Sequence, residues 1–495
     1  MPILPDAPRL AGAAAVVLAY AGLCSAVFLG QRNKRRRAAQ AAATLPPDAP
    51  RNSGEVLLAY ASQTGFAEEL AERSAAALRA AGQPALPVAL SDLPLERLAR
   101  NDAGHPVLFL ASTCGEGDAP DNAAAFVRRL LDATAAQPAL LTHLRYGLLA
   151  LGDREYRHFC GFGRRLDGWL QAAGATPLFE RIEADNGDAA ALERWQHALA
   201  HLAGGDDAAP LAWQAPEYAP WRLCVRRHLN PGSRGGPVFH LELAPPPGPA
   251  GDGAPECSLE SGESGESGES WQSGDLLQVA RPGPDGRLLA PREYSIASIP
   301  ADGRVHLLVR QQRGPDGRLG AASGWLSEGV PLGGTVMARL RPHRNFRLGD
   351  NARRPLILIG NGTGLAGLRG HLRARAAATG PHAEPAPPTW LIFGERNAAI
   401  DYHYRDEIDA WRRSGLLQRL DLAFSRDQAE PVYVQHLLRE AGAQVRDWLA
   451  RDAAIYICGS AVGMAEAVHR TLIELIGEAA LDELTVAGRY RRDVY

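Results

Sequence analysis

The chain has 495 residues, carries a formal net charge of −3 at pH 7, and consists of 46% hydrophobic and 22% charged residues. This length suits two to four domains, and the near-neutral charge excludes the basic surface expected of a nucleic-acid-binding protein. Its six cysteines form no CxxC pair and Lys34 is its only lysine, so the sequence predicts no disulfide framework, no metal site, and no Schiff-base or P-loop lysine beyond the N-terminal region.

The N-terminal segment 10–30 contains no charged residue and is long enough to span a membrane at about 1.5 Å per residue. The basic stretch QRNKRRR follows it at 31–37. Because basic flanks stay in the cytoplasm, the pattern predicts a single-pass anchor in the cell inner membrane, with the soluble domains in the cytoplasm and a basic, proline-rich linker over 31–53. A cleaved signal peptide is the alternative, but its basic residues would precede the apolar run.

Between residues 54 and 203, apolar runs of strand length alternate with helical patterns. Alternating strands and helices imply a parallel sheet covered on both faces, and five such strands predict a flavodoxin-like, doubly wound α/β domain. The runs lie at 55–62, 84–93, 106–113, 146–153 and 176–185.

A linker at 204–220, rich in proline, glycine and aspartate, leads to a different pattern. Short strands with turn signals over 221–350 predict an antiparallel β-barrel, within which the repeat SGESGESGES (261–270) is expected to be a solvated loop. From 351 to 495 the strand–helix alternation returns and predicts a second α/β domain. The strand candidates there lie at 354–360, 389–395, 419–425 and 453–460.

The first predicted strand ends in ASQTGFAEE (61–69), where the hydroxyls of Ser62 and Thr64 and a helix start can bind a terminal phosphate. The stretch lacks both a dinucleotide glycine pattern and a P-loop lysine, so a single phosphate, as in FMN, fits it better. An ordinary capped helix start is the alternative. Two more loops, STCGEGDAPDN (112–122) and LGDREYRHFC (151–160), are predicted at the same sheet edge, where open α/β sheets bind ligands.

These three loops resemble those of the FMN domain of diflavin reductases, a family that includes the flavoprotein subunit of NADPH–sulfite reductase and the microsomal NADPH–haemoprotein reductases. The resemblance implies that the phosphate is held by Ser62, Gln63, Thr64, Gly65 and Ala67, and that the flavin is lined by Thr113 and Gly115. It also implies a stacking loop formed by Tyr156, His158, Phe159 and Cys160, and an acid near the ring, Asp185. Cys114 departs from the microsomal members, which carry an aromatic residue there.

In the predicted barrel, REYSIAS (292–298) is similar to the RxYS motif of the same family, although the motif alone would also fit a plain strand. The resemblance implies that Arg292 binds the FAD pyrophosphate, Tyr294 stacks on the isoalloxazine, and Ser295 approaches the nitrogen that receives the hydride. GAASGWL (320–326) resembles the family's second pyrophosphate site, where a helix N-terminus meets the phosphates. Its residues are Gly320, Ala321, Ala322 and Ser323.

IGNGTGLAGLRG (359–370) follows a buried strand candidate and resembles the family's NADP-binding turn GPGTGIAPFRG. Asn361 and Gly367 stand where prolines are usual. The cradle for the phosphates would be kept by Gly360, Gly362, Thr363 and Gly364.

SRDQAEPVYVQ (425–435) offers a serine and an arginine to a phosphate monoester. The resembling family uses this segment to select NADPH over NADH, which implies roles for Ser425, Arg426, Tyr433 and Gln435. Pro431 stands where the family usually has a lysine, so one charge on the 2′-phosphate is lost. Arg426 is expected to keep the preference, because a bidentate arginine is the stronger contact.

ICGSAVGM (457–464) and GRYRRDVY (488–495) complete the predicted active site. The resemblance implies that Cys458 lies beside the nicotinamide carbon that gives up the hydride, that Asp493 is its charge partner, and that Tyr495 covers the FAD ring. Together with Ser295, these are the predicted catalytic residues. The alternatives are that Cys458 is a small buried hydrophobic residue and that Tyr495 packs at a domain edge.

The sequence therefore predicts a membrane-anchored NADPH-dependent diflavin oxidoreductase, which passes electrons from NADPH through FAD and FMN to a one-electron acceptor. That acceptor is expected to be a haemoprotein, a membrane cytochrome or a small oxidant. The resemblance covers 54–495 without the family's helical connecting domain, because only about ten residues separate LLQVA (276–280) from PREYS (291–295). A ferric-chelate, quinone or cytochrome reductase with the same cofactors is the alternative, and a flavin redox sensor is a further one.

Overall fold

The computed structural model describes residues 55–495 except 94, 100–104, 115–116, 128–139, 155–157, 186, 205–209, 214–215, 247–269, 284, 290, 315–316 and 379–385. The predicted anchor, the 31–53 linker and nearly all of the SGESGESGES repeat lie outside the described residues. Within the described ranges, no helix combines the length and the apolar composition that a membrane span requires.

The described residues fall into two compact units. The first contains the described part of Met1–Ala61, Ala67–Ala119 and Arg128–Gln214. The second contains Ser62–Phe66, Pro120–Val127 and Ala215–Tyr495. Each unit is held together by its own sheets.

A parallel sheet of strand order β2-β1-β3-β4-β5, with β6 also pairing with β4, forms the first unit. Its strands are β1 (Val56–Ala61), β2 (Ala85–Ala89), β3 (Val107–Ser112), β4 (Arg145–Gly152), β5 (Thr176–Pro177) and β6 (Ile182–Asp185). This is the order of a flavodoxin-like sheet, so the predicted fold of this region is confirmed. The central strands are apolar along nearly their whole length because both faces of the sheet are covered.

Two predicted strands of this sheet differ from the observed ones. The run 84–93 forms a strand only over Ala85–Ala89 and then turns at Leu90–Asp92. The run 176–185 is divided into β5 and β6, and β5 ends at Pro177. The pairing with β4 is not broken by Pro177 itself, since the N–H groups of Thr176 and Leu178 donate to Leu144 O and Tyr146 O at 2.9 and 2.7 Å.

Helices cover the first sheet, and their apolar faces form its core. Trp195 is fully buried, donates from Nε1 to Ser74 Oγ at 3.0 Å, and packs edge-on against Phe179. The helices of this unit are α1 (Phe66–Ala80), α2 (Leu95–Ala99), α4 (Gly161–Ala172) and α5 (Ala189–Leu202), whereas α3 (Ala124–Phe126) belongs to the second unit.

The second unit begins with six strands paired antiparallel in the order β10-β9-β12-β7-β8-β11. They are β7 (Ala219–His228), β8 (Val238–Ala244), β9 (Leu276–Ala280), β10 (Arg292–Ser295), β11 (Val305–Arg310) and β12 (Thr335–Arg341). Trp221, Leu277 and Leu307 lie in the buried cluster inside this sheet. The antiparallel pairing of the predicted β-barrel is thus confirmed, whereas its closure into a barrel stays a prediction.

A second parallel sheet, of order β15-β14-β13-β16-β17, completes the second unit. Its strands are β13 (Leu356–Asn361), β14 (Thr389–Glu395), β15 (Leu417–Phe424), β16 (Ala454–Gly459) and β17 (Tyr490–Val494). Four of the five match predicted runs, but β17 was not predicted, because its sequence YRRDV is too polar to look like a buried strand. The helices around the sheet are α6 (Leu365–Ala377), α7 (Ala398–Asp401), α8 (Arg405–Arg413), α9 (Val434–Glu440), α10 (Gly442–Ala450), α11 (Glu466–Ile476) and α12 (Glu478–Val486).

Candidate functional site

The carboxyl ends of β1, β3 and β4 lie side by side, since Ala61 pairs with Ala111 and Ser112 pairs with Leu151. The loops predicted to bind FMN leave the sheet from these strand ends. Open α/β sheets bind ligands at this kind of edge, between strands whose connections run in opposite directions. The structure therefore gives the predicted FMN site a suitable location.

The loop after β1 is ordered by hydrogen bonds to Asp121 and Asn122, which follow β3 in the chain. Ser62 is buried and its N–H donates to Asn122 Oδ1 at 2.9 Å. Gln63 donates from Nε2 to Asp121 Oδ2 and accepts from the Asp121 N–H, both at 2.8 Å. Gly65 adopts φ +88°, a conformation that favours glycine, just before α1 begins. Thr64 is partly exposed in this loop, and Ala67 is buried at the helix start.

Thr113, in the loop after β3, supports the predicted flavin site. Its backbone N–H donates to Leu151 O at 2.9 Å, and its hydroxyl Oγ1 is buried without a hydrogen-bond partner in the described part of the chain. A buried hydroxyl normally has a partner, so this one fits a polar group of a ligand. Gly115 lies outside the described residues.

The loop after β4 is anchored by Cys160, which is fully buried and adopts φ +54° where α4 begins. Its thiol contacts Ala150 O at 3.4 Å, and burial raises the pKa of this thiol to about 12. His158 in the same loop is exposed, and the Phe159 ring lies 4.9 Å from the Arg154 guanidinium. Asp185 Oδ1, at the end of β6, accepts from the Arg154 N–H at 3.1 Å. Tyr156 lies outside the described residues.

In the second unit, β10 carries the predicted FAD-binding motif. Arg292 is exposed, whereas burial raises the pKa of Tyr294 to about 12. Ser295 is buried, and its hydroxyl donates to Asp493 Oδ2 at 2.7 Å. Arg292 is thus outside the core, and its exposed guanidinium is suited to bind an anionic group such as the predicted FAD pyrophosphate.

The segment predicted to bind the second side of the pyrophosphate forms a tight turn followed by a short helical turn, Trp325–Gly329. The Gly320 N–H donates to Gln312 O at 2.8 Å, and Ser323 Oγ accepts from the Gln312 N–H at 3.0 Å. Ala322 O accepts from the Leu326 N–H at 2.9 Å and Ala321 O accepts from Arg281 at 3.1 Å. The four predicted residues therefore lie at the start of this helical turn.

Three of the predicted catalytic residues converge from separate strands. Cys458 on β16 and Asp493 on β17 are register partners, and the Cys458 thiol contacts Asp493 Oδ2 at 3.5 Å. The same carboxylate oxygen accepts the hydrogen bond from Ser295. Burial, together with the charge of Asp493, raises the pKa of Cys458 well above its usual value, so this cysteine remains a thiol.

Two glycines make this convergence possible. A Cβ at Gly367 would lie 3.2 Å from Cys458 Sγ and 3.0 Å from the Phe346 ring, so a larger residue would press on the catalytic cluster. A Cβ at Gly364 would overlap the carbonyl oxygen of Cys458. Gly364 is therefore needed for the close packing of the glycine-rich turn against β16.

A cavity of about 980 Å³ lies at the carboxyl edge of the second parallel sheet. Its lining contains seven of the predicted residues, namely Gly362, Thr363, Ser425, Arg426, Tyr433, Gln435 and Tyr495. It borders the catalytic cluster, because Ser460 and Tyr495 line the cavity two residues beyond Cys458 and Asp493 respectively.

Tyr495 is 56% exposed on the wall of this cavity. Its N–H donates to Gly459 O at 3.1 Å and its carbonyl accepts from the Ala461 N–H at 3.0 Å, so its backbone is fixed to the end of β16. Its hydroxyl lies 3.4 Å from Thr363 Oγ1. The exposed ring fits the predicted covering of a flat ligand better than it fits a packed side chain.

Sequence reasoning missed several charged residues of this cavity. Besides Arg426, it is lined by Arg234, Arg310, Arg313 and Arg396, and Glu395 is the one acidic residue in the described lining. A signal existed for two of them: Arg310 ends the apolar strand VHLLVR, and Glu395 ends the buried strand TWLIFGE. A charge at the end of a buried strand of an α/β unit is a reasonable candidate for ligand binding.

A separate polar cluster joins the antiparallel sheet to the helical layer of the second unit. Glu242 and His306 are cross-strand partners, and His240 lies on the same face. Tyr404 Oη lies 2.8 Å from His240 Nδ1, Arg304 donates to Glu242 at 3.0 Å, and Arg369 lies 3.2 Å from His306 Nδ1. His240, Glu242 and His306 are close enough together to hold a metal ion. Each of them already has a protein partner, however, and two of these partners, Arg304 and Arg369, are cationic.

Known family models match two separate regions of the chain. The flavodoxin family model matches residues 58–196, and the model of the oxidoreductase NAD-binding domain matches residues 358–470. These ranges contain the two parallel sheets.

Full-length relatives match most of the chain. The flavoprotein alpha-component of NADPH sulfite reductase from Vibrio parahaemolyticus is 30% identical over 565 residues, covering 92% of this chain and 88% of the relative. The Bacillus subtilis protein of the same name is 29% identical (92% and 91% covered), and that of Aliivibrio fischeri is 31% identical (90% and 89% covered). The 565-residue alignments are longer than this chain, so these relatives contain segments without a counterpart here.

The fit of the residues to the implied cofactors agrees with these matches. The buried, unpartnered hydroxyl of Thr113 suits a flavin at the first sheet edge, and the arginine-lined cavity suits a phosphorylated dinucleotide at the second. The chain belongs to the diflavin reductase family, and it is an NADPH-dependent flavoprotein oxidoreductase that uses FMN, FAD and NADPH.

Proposed function

We propose that this chain oxidises NADPH in the cavity of the second unit and passes the electrons singly to a protein acceptor at a membrane. The convergence of Ser295, Cys458 and Asp493 next to that cavity carries the catalytic part of the proposal. When bound, FAD accepts a hydride and FMN exchanges single electrons, and this chemistry belongs to the flavins. The protein supplies binding, orientation and charge.

Asp493 has the central role among the proposed catalytic residues. Its carboxylate is buried and positioned by Ser295, so it can stabilise the positive charge that develops on a nicotinamide as the hydride leaves. Ser295 is the proposed hydrogen-bonding group on the flavin side. Cys458 contributes a compact thiol beside the nicotinamide, and its raised pKa excludes a thiolate nucleophile at neutral pH.

Ser425 and Arg426 are the proposed readers of the 2′-phosphate of NADPH. Both line the cavity, and the Ser425 and Arg426 N–H groups donate to Glu395 O and Arg396 O at 2.9 and 2.8 Å, which fixes this loop to the end of β14. Tyr433 and Gln435 line the same region. Because Pro431 supplies no charge, the preference for NADPH would depend mainly on Arg426.

The proposed acceptor is a redox protein, a haemoprotein or a membrane cytochrome. The similar relatives are named as flavoprotein components of sulfite reductase, which supports a protein partner. The uncharged segment 10–30 favours a second candidate function, the reduction of ferric chelates or quinones at the membrane. A redox sensor is disfavoured, because it would not need the Ser295–Asp493 contact.

Steady-state assays of the purified full-length protein test the reaction. We expect NADPH-dependent reduction of ferricyanide and of cytochrome c, and a loss of both in Asp493→Ala. Failure to oxidise NADPH with both flavins bound would overturn the enzymatic proposal. A panel of ferric citrate, a quinone and a b-type cytochrome would then rank the acceptors.

We also propose that segment 10–30 anchors the chain in the cell inner membrane, with the soluble domains in the cytoplasm. The uncharged segment and its basic flank at 31–37 support this orientation. Membrane fractionation of the full chain and of a chain that starts at residue 54 provides the test. If the full chain stays in the supernatant after ultracentrifugation, the anchor is ruled out.

A further inference from the structure

The segment that follows Cys458 holds the backbone of Tyr495. The Tyr495 N–H donates to Gly459 O at 3.1 Å, and the Ala461 N–H donates to Tyr495 O at 3.0 Å. Both backbone hydrogen-bonding groups of Tyr495 are therefore bound by residues 459–461. The position of the tyrosine ring consequently depends on how firmly this segment is itself fixed.

Asn361 fixes that segment from the end of β13. Its Oδ1 accepts a hydrogen bond from the Ser460 N–H at 3.1 Å. A Cβ at Gly459 would lie only 2.4 Å from the same oxygen, and Gly459 has φ +135°, so glycine is needed for this close approach. Because a backbone N–H can only donate, the amide oxygen of Asn361 must be the atom that faces Ser460.

The backbone of Asn361 differs from that of the proline that is usual at this position in the resembling family. Asn361 has φ −138° and ψ 153°, whereas the ring of a proline holds φ at about −65°. Proline also has no acceptor in its side chain. A proline at this position therefore could not make the contact with Ser460.

The residues of this arrangement lie at the dinucleotide cavity. Asn361, Ser460 and Tyr495 line it together with Thr363, whose Oγ1 lies 3.4 Å from Tyr495 Oη. Two residues at the start of the glycine-rich turn thus contact Tyr495 and the segment behind it at separate points. These contacts hold the exposed tyrosine ring in one position at the cavity wall.

We propose that Asn361 is a positioning residue for Tyr495, because it holds the Ser460 N–H and so keeps the tyrosine ring where the nicotinamide must enter. This inference rests on the proposed placement of NADPH in the cavity, with its nicotinamide beside Cys458. The ring and the nicotinamide then compete for the same space, so loosening the ring favours a ligand that carries a nicotinamide. A ligand without a nicotinamide does not meet this competition.

Two ligands that differ only in the nicotinamide test the competition. NADP⁺ carries it, whereas 2′-phospho-ADP-ribose lacks it and keeps both the pyrophosphate and the 2′-phosphate. In Asn361→Ala we expect the dissociation constant of NADP⁺, divided by that of 2′-phospho-ADP-ribose, to fall about 3- to 10-fold, because one hydrogen bond that holds the competing ring is lost. Direct contacts of Asn361 with the shared part of the ligands cancel in this ratio. Isothermal titration calorimetry of the full-length protein with both flavins bound measures the two constants.

A conservative and a double variant test whether Asn361 acts through Tyr495. Asn361→Asp keeps an acceptor for the Ser460 N–H, so the ratio should stay that of the parent, although the added negative charge should weaken the binding of both ligands. In Tyr495→Ala the competing ring is absent, and the ratio should fall at least as far as in Asn361→Ala. Adding Asn361→Ala to Tyr495→Ala should then change nothing further.

Asn351→Ala is a matched control for a loss of stability. Asn351 also joins β16 to the residues before β17, since its Nδ2 donates to Tyr456 Oη at 2.9 Å and to Gly488 O at 2.8 Å. It does not belong to the described lining of the cavity. This variant should unfold at a lower temperature and keep the ratio of the parent.

The outcomes distinguish this inference from the proposed function. An unchanged ratio in Asn361→Ala or in Tyr495→Ala, or an effect of Asn361→Ala that persists without the Tyr495 ring, would overturn the role of Asn361 and leave the proposed reaction standing. An equal fall of the ratio in Asn351→Ala would overturn it as well, because lost stability would then be the cause. If neither ligand binds to the parent protein, the proposed placement of NADPH fails, and the inference fails with it.

Discussion

The two parallel sheets of this protein use one architectural rule with different chemistry. The first has strand order β2-β1-β3-β4-β5 and the second β15-β14-β13-β16-β17, so each has an inner strand at which the direction of the connections reverses. Both have their candidate ligand groups at the carboxyl edge beside that strand. The described groups at the first edge include a buried threonine hydroxyl, whereas arginines line the second. The fold therefore sets where a ligand binds, and the side chains at the edge decide which ligand.

The two sites also differ in how they are assembled. The candidate residues at the first edge come from loops that follow strands of a single sheet. The second site additionally takes Ser295 and Arg310 from the antiparallel sheet, and their partners Asp493 and Glu395 lie on the parallel one. The second site should consequently be more sensitive to single substitutions that break contacts between sheets.

Asp493→Asn should give the largest effect and should affect only the second site. Loss of the carboxylate charge removes stabilisation of the developing nicotinamide cation, and we expect flavin reduction by NADPH to slow by about 100-fold or more. Stopped-flow absorbance under anaerobic conditions measures this rate. Flavin content and the rate of electron delivery after reduction by dithionite should stay unchanged, and a normal rate of NADPH-dependent reduction would contradict the role of Asp493.

His371→Phe tests the stability of the second unit against acid. Burial lowers the pKa of His371 to about 3, so between pH 6.5 and pH 3 the unfolded chain binds a proton there that the folded chain does not. Stability is therefore lost as the pH falls through this window, and His371 alone accounts for about 2 kcal/mol between pH 7 and pH 5.

The phenylalanine variant should lack most of that loss of stability, because phenylalanine cannot bind a proton. Denaturant unfolding of the variant and the parent at pH 7 and pH 5 measures the loss of stability in each. Some acid sensitivity should remain in the variant through His306, because burial also lowers the pKa of His306 to about 3. An identical pH dependence in the variant and the parent would show that His371 does not titrate in this way.

Thr113→Val tests the first site in isolation. The substitution keeps the shape of the side chain and removes the unpartnered hydroxyl, so we expect FMN to bind about 10-fold more weakly, with FAD reduction by NADPH unaffected. Fluorescence titration of the FMN-depleted protein gives the dissociation constant. Equal FMN affinity in variant and parent would mean that the hydroxyl faces no ligand.

Pro431→Lys should give the smallest change in activity. It adds one positive charge to the second site, which is already lined by arginines. Residue 431 is exposed beside the proposed 2′-phosphate loop, so an added cation should lower KM for NADPH by about fivefold and leave KM for NADH unchanged. Raising the salt concentration should diminish the gain, since an exposed charge is screened. A similar gain for NADH would indicate non-specific attraction.

Much of the fold could be read from local patterns. Continuous apolar runs such as VLFLAS and LILIG predicted buried parallel strands because both faces of these sheets are covered. The division of 176–185 into two strands and the extra strand β17 were not predicted. The polar sequence of β17 hides its pairing with β16.

The sequence by itself determined the two parallel sheets, the antiparallel sheet that separates them along the chain, and the motifs at their edges, because these depend on hydrophobic period and on glycine and hydroxyl residues close together in the chain. Only the tertiary structure decided which charges meet. Ser295 and Asp493 are 198 residues apart, and Arg310 and Glu395 are 85 apart, yet each pair is in hydrogen-bond contact. Such pairs depend on strand register and on the packing of one sheet against another, and no local pattern of residues encodes either.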